Sequence, residues 1–232
     1  MEPIKIFIGK DDVENVAYHT LCNSIINKAS VPVSIAPIYL KNLPFFKRPR
    51  DPKQSNEFSF SRFLVPYLCN YSGYAIFMDC DMLMRADIVE LYDLRGQMEA
   101  VQVVKHDYIP KGAIKFLGAK QYTYPKKNWS SVMLFNCRHY HCRRLTPEYV
   151  AQASGLELHQ FKWTEDERVG ELPKEWNHLV GEYDPNPEAK LAHFTVGGPW
   201  FDEYYDCEFA DEWATEQAEM LNCLQLSEVK TA

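Results

Sequence analysis

The sequence predicts an α/β fold, a mainly parallel sheet flanked by helices in one domain, and three observations carry the prediction. Tyr74-Ala75-Ile76-Phe77-Met78 is a continuous apolar run that ends abruptly in Asp79-Cys80-Asp81, the pattern of a strand buried on both faces of a parallel sheet. Ile4 to Ile8 breaks at Gly9 and gives way to Ala17, Leu21 and Ile25 at helical spacing, a β-loop-α opening. The 232 residues, 46% hydrophobic and 25% charged, suffice for one large core. No repeat, low-complexity tract or linker divides them.

In the first loop, Asp11 and Glu14 stand in a capping-box arrangement. Val31 to Leu40 supplies a strand with Val33, Ile35 and Ile38 as core residues. Lys41 to Asn56, rich in Pro, Lys and Arg without periodicity, reads as a mobile loop over a site. Ser59 is expected to cap a helix whose Phe60, Phe63, Leu64, Tyr67 and Leu68 form an apolar stripe, with Arg62 off it, paired with the site's carboxylates or phosphates or, as the alternative, a solvated helix residue. Asp87 to Leu94 predicts a short helix, and Ala100 to Val104 and Val132 to Phe135 predict strands. Thr146-Pro147 opens a helix to about Ser154. A last amphipathic helix uses Phe209, Trp213, Met220 and Leu224. Of Trp129, Trp163, Trp176 and Trp200, at least half are expected in the core, and one or two against sugar rings.

A net charge of −7 argues against nucleic acid as the main partner. Seven cysteines without a C-x-x-C pair read as reduced thiols, which with no secretory or membrane-spanning segment places the chain in the cytoplasm. Cys137, His139, His141 and Cys142 fit no tetrahedral zinc spacing. Gly9 stands without a G-x-G-x-x-G or P-loop around it.

Ligands of open α/β sheets collect at the carboxyl ends of strands, where Asp79 and Asp81 are expected. Two carboxylates flanking one residue can share a hard divalent cation while a phosphorylated substrate adds further oxygens. A turn with two solvated Asp is the alternative. A late His193, in the run His193-Phe194-Thr195-Val196-Gly197-Gly198-Pro199-Trp200, lies in a glycine loop that brings backbone close to ligand, and imidazole suits manganese.

Ser61-Arg62-Phe63-Leu64-Val65-Pro66, the Asp79-Cys80-Asp81 strand, Asp87-Ile88-Val89-Glu90-Leu91, His193-Phe194 and Pro199-Trp200 together resemble a GT-A-fold glycosyltransferase of family eight, which includes glycogenin and bacterial galactosyltransferases. The block from Lys127 to Cys137 resembles small single-domain relatives in bacteria and large algal viruses. The resemblance covers Ile4 to Trp200. It implies a nucleotide-sugar donor, UDP-sugar favoured, a glycan or glycoconjugate acceptor, and Mn2+ or Mg2+ held by Asp79, Asp81 and His193. It places the base and ribose at Gly9, Lys10, Asp11 and Asp12, and further donor contacts at Arg62, Cys80, Asn128, Ser130 and Ser131. Residues 1–105 are then the nucleotide part, 106–202 the donor-sugar and acceptor part, and 203–228 a terminal helix. The family often has Lys directly before the final Pro-Trp to hold diphosphate. Gly198 stands there, so backbone N–H groups of Gly197 and Gly198, or another basic residue, take that role.

The resemblance also implies retention of anomeric configuration, which calls for an acid facing the oxocarbenium-like centre. Asp166, then Glu167, are the candidates. The alternative is a charged helix start capped by Thr164 with Glu167 as its box partner. Inversion would instead call for a base, with His106 or Asp107 as candidates. Rival functions are a haloacid-dehalogenase-like phosphohydrolase using the D-x-D and a noncatalytic sugar-binding module. A sugar nucleotidyltransferase would need a Gly-rich basic loop, of which only Gly9-Lys10 is present.

Overall fold

The computed structural model describes residues 2–222 apart from 52, 53, 55 and 122. Leu224 and the end of the predicted terminal helix lie outside these. The chain opens as β1 (Ile4–Gly9), α1 (Asn15–Lys28) and β2 (Val33–Ile38), then α2 (Val65–Leu68), β3 (Tyr74–Met78), β4 (Met82–Met84) and α3 (Ile88–Tyr92). It continues through β5 (Val101–Val103), a β6 (Ile114–Lys115) and β7 (Ala119–Lys120) hairpin, β8 (Val132–Asn136), α4 (Pro147–Gln152) and α5 (Gly155–His159). It closes with β9 (Val169–Glu171), β10 (His178–Leu179), β11 (Leu191–His193) and α6 (Ala210–Met220).

The central sheet has the order β2-β1-β3-β8-β5-β9. Pairings are parallel except at β8, which runs antiparallel to both β3 and β5. The apolar run of β3 is thus buried as expected, but with one parallel and one antiparallel neighbour. A second sheet, β10-β11-β4, pairs His193 with Met82, carrying a late loop to the acid-bearing turn. Ala17, Leu21 and Ile25 are fully buried. Val33 and Ile35 are only half-buried because β2 is the sheet edge, where Pro37 costs no ladder bond.

Several local expectations change. The Asp11–Glu14 capping box does not form. α1 starts at Asn15 without a side-chain cap, Asp11 accepts the Val13 and Glu57 N–H groups at 3.1 and 2.9 Å, and Glu14 turns into the protein. Ser59 caps no helix and bonds Asn56 instead, while Ser61–Leu64 is a 3-10 turn before α2. Tyr67 is 38% exposed and leaves the stripe. The 41–56 segment is anchored where it is described: Leu43 and Phe46 are buried, and Arg48 donates to the Val150 and Ala153 carbonyls. Thr146 caps α4 as expected, but that helix stops at Gln152, and Ser154 with Glu157 forms the capping box of α5. Trp163 and Trp176 are core residues.

Candidate active site

Three ligating side chains converge: Asp79, Asp81 and His193 are buried, with one donor atom of each within 4.8 Å of the others. Among the described residues this is the cluster able to hold a metal. Asp79 and Asp81 flank Cys80 in sequence at the end of β3, and the Cys80 side chain points inward toward Glu14. His193 ends β11, with Nε2 3.4 Å from Asp81 Oδ1.

The groups behind the triad set its chemistry. His193 Nδ1 lies 2.9 Å from Asn177 Oδ1; an amide oxygen only accepts, so Nδ1 carries a proton and Nε2 is the nitrogen turned to Asp81 and to a cation that displaces its proton. Asn177 Nδ2 donates to Ser131 Oγ at 2.8 Å, and the Ser131 carbonyl accepts the Asp79 N–H at 2.9 Å. Arg62, 4% exposed, donates from Nη1 to the Ser130 carbonyl at 2.9 Å. The same nitrogen lies 2.7 Å from Asp79 Oδ1 without a directed N–H, so that oxygen is a buried acceptor lacking a hydrogen bond. Two carboxylate oxygens, one unsatisfied, and an imidazole nitrogen suit Mn2+ or Mg2+.

Burial pushes the Asp79 carboxyl up to about 6, assisted by Asp81 and opposed by Arg62. Burial also acts against the Asp81 charge, but the His193 imidazole and its hydrogen bond hold that carboxyl below the ordinary value. Glu14, 4% exposed, is raised well above the usual range by burial and by Asp81. Because proton and metal compete for Asp79, Mn2+ affinity should be flat above about pH 7 and fall roughly tenfold per unit below about 6. The metal-free fold changes oppositely: with its folded value above the ordinary 3.8, Asp79 adds stability as pH falls from 6 toward 4. Calorimetric Mn2+ titrations between pH 5 and 8 check the slope, which Asp79→Asn should flatten.

The other expected donor residues divide. Gly9 stands where a Cβ would meet the Phe58 ring at 2.2 Å, so glycine is required there for packing. Lys10 lies over the Tyr18 and Tyr39 rings, and exposed Asp12 pairs with Lys41 at 2.6 Å. Asn128 adopts a left-handed conformation at φ 61° and is held by Tyr108 Oη and Thr195 Oγ1. Ser130 and Ser131 brace Arg62, Asp79 and Asn177. The Gly197 N–H is already bonded to the Phe194 carbonyl at 2.9 Å, which corrects its assignment to phosphate. A side chain at 198 would start 2.1 Å from the Trp200 ring, so lysine cannot replace Gly198 without displacing Trp200.

Asp166 and Glu167 are not brought to the triad. They lie on an exposed 3-10 turn, Asp166 pairing with Lys126 at 2.6 Å. Thr164 does not cap that turn, since its hydroxyl lies 2.6 Å from His141 Nδ1.

Asn177, Thr195 and Tyr108 carry no sequence signal of a site role; the nearest is Trp176, directly before Asn177. Asn177→Ala should weaken Mn2+ binding about 10- to 100-fold by releasing the His193 tautomer, and His193→Ala at least as much. Titration of Mn2+ against both variants tests this, and wild-type affinity in Asn177→Ala would remove the positioning role.

No family model matches the chain. Among solved structures it is similar to the bifunctional glycosyltransferase WbbM in its apo form, with a TM-score of 0.66 at 17% identity over 95% of this chain and 51% of that one. GlyE of Streptococcus pneumoniae gives 0.62 at 11% identity over 99% and 64%, and the galactosyltransferase LgtC, solved with donor and acceptor sugar analogues, 0.59 at 11% over 93% and 96%. The chain thus spans about half of WbbM and 64% of GlyE. These likenesses identify the GT-A fold. Protein CDI of Arabidopsis thaliana is 47% identical over 226 residues, 94% of this chain and 87% of that protein, and the chain belongs to the Protein CDI family.

Proposed function

We propose that this chain is a metal-dependent glycosyltransferase of the family-eight type that moves a sugar from a nucleoside-diphosphate donor, UDP-sugar favoured, to a hydroxyl of a glycan or glycoconjugate, with retention. The convergence of Asp79, Asp81, His193 and Arg62 at the carboxyl end of β3 on a GT-A sheet carries this reading. A divalent cation supplies Lewis-acid stabilisation of the departing diphosphate.

This chain's residues hold and orient. Asn177 and Ser131 fix the His193 lone pair, and Arg62 keeps Asp79 in place while leaving its oxygen open. The first loop, with Asp11 braced by two N–H groups, receives base and ribose, and the Gly198 N–H faces phosphate. Residues 1–105 then serve the nucleotide and 106–202 the sugar and acceptor. Free thiols at the six described cysteines favour the cytoplasm. Among the described residues no helix is long and apolar enough to cross a membrane.

Incubation with UDP-, GDP- and dTDP-sugars and Mn2+ without acceptor tests the reading. Slow release of nucleoside diphosphate and a raised melting temperature with one nucleotide class are expected. Phosphate release from a phosphomonoester with no diphosphate release would favour the phosphohydrolase instead, and sugar binding without any turnover a binding module.

Asp166 and Glu167 stay our proposed carboxylates for the anomeric centre, Asp166 reaching the Asn128 segment through Lys126. With saturating donor, at least one of Asp166→Ala and Glu167→Ala should lose about tenfold or more in kcat. Near-normal turnover in both would remove them.

A further inference from the structure

Three buried histidines lie outside the triad, His106, His141 and His178, and among the described residues His106 is the one with a buried ring nitrogen lacking a partner. His106, just beyond β5, is 4% exposed. Its Nδ1 lies 2.8 Å from the Tyr183 hydroxyl, and its carbonyl accepts the Trp129 indole N–H at 2.7 Å. Both restraints fix the ring, yet Nε2, on the edge away from Tyr183, is buried without a partner. An unsatisfied buried nitrogen is costly unless something else meets it.

The surroundings say what that is. Trp129 follows Asn128, whose amide bridges Tyr108 Oη and Thr195 Oγ1, and Thr195 is two residues after His193. Tyr108 and Tyr183 pack edge-on and tilted against the His106 ring. His106 therefore borders the transfer site on its aromatic wall. Burial, then the proximity of His193, Lys174 and His178, pushes the imidazole down to about 3, so it stays neutral and is a poor base for an acceptor hydroxyl. A neutral ring with one nitrogen engaged offers a single donor or acceptor. A hydroxyl satisfies either tautomer, whereas a phosphate accepts only from Nε2–H.

We propose that His106 is a specificity-determining residue whose Nε2 hydrogen-bonds a ring hydroxyl of the donor sugar. This rests on the glycosyltransferase reading, because the sugar must lie next to a diphosphate held at the Asp79–Asp81–His193 end of the sheet.

The test is calorimetric binding, with Mn2+, of UDP, UDP-glucose, UDP-galactose, GDP and GDP-mannose to wild type, His106→Ala and Tyr183→Phe. Wild type is expected to bind at least one sugar nucleotide more tightly than its bare diphosphate. His106→Ala should lose about tenfold for that sugar nucleotide with the bare diphosphate unchanged. Tyr183→Phe deletes one oxygen, frees the ring tautomer and should cut the same increment about threefold, which keeps the test available if His106→Ala does not fold. Equal loss for bare and sugar nucleotides, or no loss in either variant, overturns the assignment. Failure of wild type to bind any nucleotide would instead bring down the glycosyltransferase reading, and this assignment with it.

Discussion

Asp79→Asn and Asp81→Asn should each lower sugar transfer about a hundredfold or more and abolish metal-dependent nucleotide binding, with the fold retained. The amide keeps the shape of the carboxylate but loses the charge that a hard cation requires, and electrostatic stabilisation of a leaving group is commonly worth two to three orders of magnitude. Fold retention follows from the isosteric shape of the amide and from relief of the Asp79–Asp81 repulsion. Asp79→Asn also leaves buried Arg62 without its partner, so it should be the less stable of the two variants. Turnover as a function of Mn2+, with circular dichroism and melting curves, measures both effects. Unchanged manganese dependence in either variant would end the metal assignment.

Arg62→Ala should cost about 3–5 kcal/mol of stability, the usual consequence of stranding one member of a buried ion pair. Side-chain exposures of 5% for Arg62 and 11% for Asp79 leave little solvent to screen the pair. Arg62 also holds the Ser130 carbonyl and lies about 5 Å from the Phe58 and Phe77 ring centres, so packing is lost with the charge. For a domain of this size the melting temperature should fall by about 10 °C or more. Adding Asp79→Asn should recover part of the loss, because the stranded charge is then gone. A loss under about 1 kcal/mol in urea melts, or strict additivity of the two changes, would mean the pair is not coupled in the folded protein.

The sequence alone determined the strand ending in Asp79-Cys80-Asp81 and the β-loop-α opening, and with the family resemblance it set His193 beside the two acids; for Arg62 it left solvent, carboxylates and phosphates open. Each rests on a local pattern: an apolar run broken by charge, helical spacing after Gly9, a histidine a few residues before paired glycines. It misplaced the pieces whose local pattern allows two partners. Glu14 satisfies a capping box on paper, yet packing of α1 turned it inward beside Cys80. Gly197 offers an N–H that the loop itself gives to the Phe194 carbonyl. Only tertiary structure decided that antiparallel β8 lies against β3, and that pairing brings Ser130 and Ser131 under Asp79 and Arg62. Only the β10-β11-β4 sheet sets Asn177 behind His193 and His106 beside Tyr183. Periodicity reports how deeply a side chain is buried, whereas its hydrogen-bond partner depends on which strand ends the topology brings together.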